Sequence, residues 1–147
     1  MSKTTANAFE AIDNTRVEAA LNEWQRIFKQ LDWENLPGLL ADHVTYSNPG
    51  DATPLRGKEA VVDSLRLSFS IFEGFEYARH FNGEEGHVLE FRGSVGEVAF
   101  TGIDIIRFDA AGKITDLVVM IRPIAAVMKL GEEAARRMAI SNHAAQE

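Results

Sequence analysis

Near Phe72 the apolar residues of this chain change period, and that change limits what the chain can fold into more than any other feature. Before it, Val17, Ala20, Leu21, Trp24, Ile27, Phe28 and Leu31 recur at spacings of three and four, which predicts a long amphipathic helix over residues 13–31 with one buried face. Val61, Val62, Leu65, Leu67, Phe69 and Phe72 predict another over 60–72. After it, residues 75–81, 87–95, 98–108 and 114–122 alternate as strands do, separated by Asn82-Gly83, Gly96-Glu97 and Ala111-Gly112. Two smaller signals lie between the helices. Residues 32–40 read as a corner and a short helix with Asp32 as N-cap, and residues 44–48 as a strand stopped by Pro49-Gly50. Pro123 ends the last strand, and residues 125–138 read as a closing helix.

Helices first and a meander of strands afterwards define an α+β domain, with a curved, mostly antiparallel sheet wrapped around the N-terminal helices and a pocket left open at one end. The length of 147 residues and a hydrophobic share of 46% suit one domain over residues 1–147, with residues 1–12 as a flexible N-terminal extension. Both faces of the last two strands are apolar. Ile103 and Ile105 stand on one face, and Phe100, Ile106 and Phe108 on the other. One face can line the core, so the other is expected to pack against a second copy of the chain.

The one carboxylate in the apolar strand 100–108 is Asp104, set between Ile103 and Ile105. Burying an unpartnered carboxylate costs several kcal/mol or forces its pKa upward. Asp104 is therefore either paired, with Arg92 or Arg107 as the available cations, or turned toward a ligand. Tyr46 and Asn48, two residues apart, share a strand face and point toward one cavity; the plainer reading is a core tyrosine and a turn-capping asparagine. Trp24 lies on the apolar face of its helix, as core or as pocket wall with an N–H to offer.

A net charge of -7 argues against nonspecific nucleic-acid binding. There is no cysteine, so disulfides and thiol chemistry are excluded. The four histidines, His43, His80, His87 and His143, show no ligand spacing, so no metal is expected. The N-terminus has no apolar run of signal-peptide length and no segment approaches a membrane span, which makes a cytoplasmic protein the expectation.

The element order, with Val44-Thr45-Tyr46-Ser47-Asn48-Pro49, Leu55-Arg56-Gly57-Lys58-Glu59-Ala60-Val61 and Gly102-Ile103-Asp104-Ile105-Ile106-Arg107-Phe108 running to Gly112-Lys113-Ile114-Thr115, resembles the NTF2-like superfamily in its SnoaL-like branch. The resemblance spans about residues 15–126 and implies a cone-shaped fold that hosts isomerases, hydrolases, cyclases and binding modules. Against the ketosteroid-isomerase branch, Asp104 matches the hydrogen-bonding Asp, Trp24 stands where a tyrosine is expected, and Asn48 replaces the proton-shuttling Asp. Asparagine takes no proton near neutral pH, which makes that isomerase chemistry improbable. Against limonene-epoxide hydrolase, Tyr46, Asn48 and Arg92 match, while Ser94 and Val119 or Met120 stand where carboxylates are expected. SnoaL-like polyketide cyclases use an acid in an apolar pocket, a part Asp104 could play. The resulting expectation is a homodimer whose pocket binds a small hydrophobic ligand and moves a proton on it without a cofactor. Asp104 serves as acid or base, Trp24, Tyr46 and Asn48 contact the substrate, and Arg92 tunes Asp104. The alternatives are a noncatalytic binding module and, third, an epoxide hydrolase.

Overall fold

The computed structural model describes residues 2–146, with side chains from 14 to 142. A long helix, α1 (Ser2–Gln30), is followed by two short 3-10 turns, strand β1 (Leu40–Ser47), a two-residue strand β2 (Leu55–Arg56) and helix α2 (Lys58–Ile71). Strands β3 (Glu73–Gly83), β4 (Gly86–Val95), β5 (Val98–Phe108) and β6 (Ile114–Arg122) form the meander, and α3 (Ile124–Gln146) closes the chain. The sheet runs β2-β1-β6-β5-β4-β3, antiparallel except where β1 lies parallel to β6. This is the expected α+β architecture. No helix among the described residues is long and apolar enough to cross a membrane.

The helical stripe of α1 behaves as its spacing requires: Val17, Leu21, Trp24, Ile27 and Phe28 are all buried against the sheet. Leu31 does not join them. It follows the helix in the left-handed region, at φ 55°, and is 52% exposed, because the chain turns there and the Asp32 N–H bonds back to the Ile27 carbonyl. Asp32 caps no helix. Its Oδ2 instead accepts from Arg26 at 2.9 Å and from Asn35 at 2.6 Å, so the short helix expected after it is replaced by the two 3-10 turns. The β3–β4 turn falls on Glu84 and Glu85, two residues later than the Asn82-Gly83 signal. The N-terminal extension expected over 1–12 falls outside the residues whose side chains are described, as does His143.

Strand parity sorts β5. Phe100, Gly102, Asp104 and Ile106 face the helices and are buried, while Ile103 and Ile105 lie half-buried on the outer face. Gly102 stands opposite Phe91 in the β4–β5 register, and a Cβ on it would come within 2.5 Å of both the Phe91 ring and the Met120 carbonyl. Glycine at that point lets the Phe91 ring lie across β5 and so shapes the wall next to Asp104.

Candidate functional site

Under α2 and α3 the concave side of the sheet leaves a narrow cavity of about 20 Å3, room for little more than a water molecule. Its walls come from every layer: Trp24 and Phe28 of α1, Tyr46 of β1, Leu65, Ser68 and Phe69 of α2, Phe75 and Tyr77 of β3, Phe91 of β4, Val119 and Ile121 of β6, and Leu130 of α3. The aromatic rings form a continuous run, with centroid separations of 4.3 Å for Trp24–Phe28, 4.6 Å for Phe28–Phe69, 4.6 Å for Phe69–Phe75 and 5.0 Å for Phe75–Phe91. Such a lining favours a flat, apolar occupant.

Asp104 is the one carboxylate in that lining, and it is 5% exposed. Its neighbours across the sheet are Leu89 on β4 and Val119 on β6, neither of which can hydrogen-bond it through a side chain. Tyr77 supplies the partner, donating its hydroxyl proton to Asp104 Oδ2 at 2.9 Å. The Trp24 indole N–H in turn donates to the Tyr77 oxygen at 2.8 Å. Burial pushes the Asp104 carboxyl up from 3.8 to about 7, with Tyr77 and Trp24 pulling the other way by favouring the ionised form. Tyr46 is also buried beside it. Desolvation first and the Asp104 charge second hold its phenol far above the usual range, as they do that of Tyr77, so both remain neutral donors.

Three of the residues singled out in the sequence therefore meet here: Asp104, Trp24 and Tyr46. Two do not. Asn48 lies past the end of β1, where its Oδ1 accepts from the Gly50 N–H at 2.9 Å; the Asn-Pro-Gly turn uses the side chain locally, and the neighbouring Pro49 lines the cavity instead. Arg92 lies on the outer face of the sheet with its side chain 63% exposed, paired with Glu76 at 2.5 Å. The expected tuning of Asp104 by Arg92 is thus not made, and Arg107 also faces outward, 3.5 Å from Glu85. Parity explains this: Leu89 and Phe91 point inward, so Arg92 must point outward, opposite Thr101 rather than Asp104. The epoxide-hydrolase match loses its arginine by the same geometry.

Sequence reasoning missed Tyr77. The available signal was the alternation Phe75-Glu76-Tyr77, which puts Tyr77 on the same inward face as Phe75. Away from the cavity, His80 and His87 stand with ring centroids 5.8 Å apart at the far end of β3 and β4, and His87 Nδ1 lies 2.6 Å from Asn82 Oδ1. No cluster of three or more metal-ligating side chains occurs among the described residues.

The comparisons with known proteins agree with this fold. The SnoaL-like domain family matches residues 9–117. A steroid delta-isomerase from Pseudomonas aeruginosa is 36% identical and superposes with a TM-score of 0.83, covering 87% of this chain and 95% of its own. A conserved bacterial protein with a cystatin-like fold from Silicibacter pomeroyi is 27% identical, with a TM-score of 0.76 over 80% of this chain and 84% of that one. An NTF2-like protein of unknown function from Mesorhizobium loti, 16% identical with a TM-score of 0.65 over 74% of this chain and 93% of that one, shares the fold alone. No curated protein sequence matches.

Proposed function

The chain belongs to the SnoaL-like domain family, and from that premise we propose that its cavity takes a small, flat hydrophobic ligand on which Asp104 moves a proton without a cofactor, as in an isomerase or a cyclase. The observation that carries this reading is a buried carboxyl in the wall of an aromatic cavity, raised to about 7 by burial and bonded by the Tyr77 hydroxyl, with no cation lining the cavity among the described residues. Such a group can take up and give back a proton at similar cost near pH 7. Similarity to a steroid delta-isomerase supports a fused-ring ketone as the substrate class. The Asp104 carboxylate would remove the proton from the carbon between carbonyl and alkene, and the resulting acid would return it to the far alkene carbon. No proton is gained or lost overall. In this reading Tyr46, which lines the same cavity and stays neutral, donates to the oxygen that gains charge meanwhile. Because the cavity holds only about 20 Å3, admitting a ring system requires side chains of its lining to move aside.

The test is turnover of a fused-ring β,γ-unsaturated ketone, followed by the ultraviolet absorbance of the conjugated product. Asp104→Asn is expected to lose at least about 100-fold, the lower end of what a positioned acid or base contributes. Equal turnover by wild type and Asp104→Asn would sink the mechanism. A second reading, a binding module, draws on the absence of a second acid: Asp104 is the only carboxylate that lines the cavity among the described residues. Ligand binding with no turnover by the wild type would decide for it. We include in the proposal a homodimer through the outer face of the sheet.

A further inference from the structure

Trp24, Tyr77 and Asp104 come from α1, β3 and β5, and their hydrogen bonds run in one direction. An indole N–H can only donate, so the Tyr77 oxygen must act as acceptor toward Trp24. Its own proton then needs another acceptor. The rings that pack against Tyr77, Phe75 at 5.1 Å and Phe91 at 6.4 Å, offer none, whereas Asp104 Oδ2 lies 2.9 Å away. Turning the hydroxyl elsewhere would leave a buried donor without an acceptor, which folded proteins rarely tolerate. Oδ2 therefore accepts from Tyr77 whether or not Asp104 carries a proton.

We propose that Tyr77, oriented by Trp24, is a positioning residue for Asp104: it fixes the rotation of the carboxyl and confines the exchangeable proton to Oδ1. The inference deepens the proton-transfer reading and takes its functional meaning from it. A proton that sits on one known oxygen leaves and returns along one path, which a mobile carboxyl does not guarantee.

The groups around Asp104 make the idea testable by titration. Facing it are Tyr77 from β3, Tyr46 from β1 and the indole of Trp24 from α1; β4 and β6 present Leu89, Phe91 and Val119, α2 presents Leu65, Ser68 and Phe69, and α3 presents Leu130. No lysine, arginine, histidine or second carboxylate lines the cavity among the described residues. The Asp104 carboxyl can be followed by carbon NMR between pH 5 and pH 9 in the ligand-free protein, with the Trp24 indole distinguished from Trp33 by its loss in Trp24→Phe. The Tyr77 hydroxyl proton is followed alongside. The wild-type indole signal is expected to shift with the carboxyl midpoint, and the hydroxyl proton to persist on both sides of it. Tyr77→Phe removes a bond to the charged form and should raise the midpoint by about one pH unit. Loss of the hydroxyl signal on the acid side would put the proton on Oδ2 and overturn the proposal. So would an unchanged midpoint in Tyr77→Phe, the result expected of a tyrosine that only packs. Because no ligand is involved, failure of turnover in the wild type would discard the proton-transfer reading and leave this titration standing.

Discussion

At Asp104 the protein holds a charge-prone group where charge is costly, and the cost can be read as a dependence of stability on pH. The folded carboxyl titrates at about 7 against 3.8 in the open chain, so the folded state binds its proton more tightly. This contribution is greatest below the unfolded value and is lost as pH rises through the folded one. The whole rise corresponds to about 4 kcal/mol, of which about 2 to 3 kcal/mol falls between pH 5 and pH 8. His87 works in the opposite sense over the same range, since burial, and after it His80, lowers its pKa and its stabilisation fades as pH falls. Comparing two variants that both keep His87 cancels that effect. Asp104→Asn, which still accepts from Tyr77, should gain about 2 to 3 kcal/mol on the wild type between pH 5 and pH 8 in urea unfolding. A parallel pH dependence in the two proteins would mean that Asp104 is ionised at ordinary cost. Asp104 was legible in the sequence because a carboxylate among isoleucines needs a reason. Tyr77 was not, since a tyrosine in an alternating strand looks like any half-buried aromatic until β3 is brought across from α1.

Among the elements, β4 and β5 show how backbone and cavity depend on one another. Phe91 lies over Gly102, and Phe100 lies over Gly93, where a Cβ would come within 2.9 Å of its ring. Each glycine thus seats an aromatic ring that packs in the core or lines the cavity. At Gly102 the obstacle includes the Met120 backbone carbonyl, which cannot swing away as a side chain can. Gly102→Ala should therefore destabilise by about 1–3 kcal/mol or more and displace Phe91 toward the cavity, weakening ligand binding. Gly38→Ala, with nothing within 4 Å of the added carbon, is the control and should stay close to wild type in thermal unfolding. Similar melting temperatures for the two would show that β5 can shift to admit the methyl. The four long strands were legible because alternation runs along them, although the β3–β4 turn lies past the Asn82-Gly83 signal, on Glu84 and Glu85. Strand β2 was not, since two residues carry no period. Asp32 misled because an N-cap residue type is also a good acceptor for an arginine, and Arg26 is within reach.

For the molecule as a whole, β5 carries the candidate acid on one face and an apolar strip on the other. The outer strip comprises Ile103 and Ile105 with Val118 and Met120 of β6, and Phe81 of β3 extends it; Met120 is 52% and Phe81 50% exposed. Arg79–Glu90 and Arg92–Glu76 flank the strip as paired charges, so the face offers both signs to an identical face turned through a two-fold axis. A second copy would cover these side chains, and the sheet that carries Asp104 would then be held from both sides. The wild type is expected to sediment at about twice 16.3 kDa. Replacing Ile105 and Met120 together with lysine should yield a folded monomer, as judged by an unchanged far-ultraviolet circular dichroism spectrum, because like charges would meet across the axis. The consequence for the site is separable from assembly. If the inner face alone sets the environment of Asp104, its titration midpoint will be the same in monomer and dimer, and only the rigidity of β5, read by hydrogen exchange at Ile103 and Ile105, will fall in the monomer. A wild-type protein that sediments as a monomer would leave the apolar strip without its proposed partner and the pairing of sheets without support.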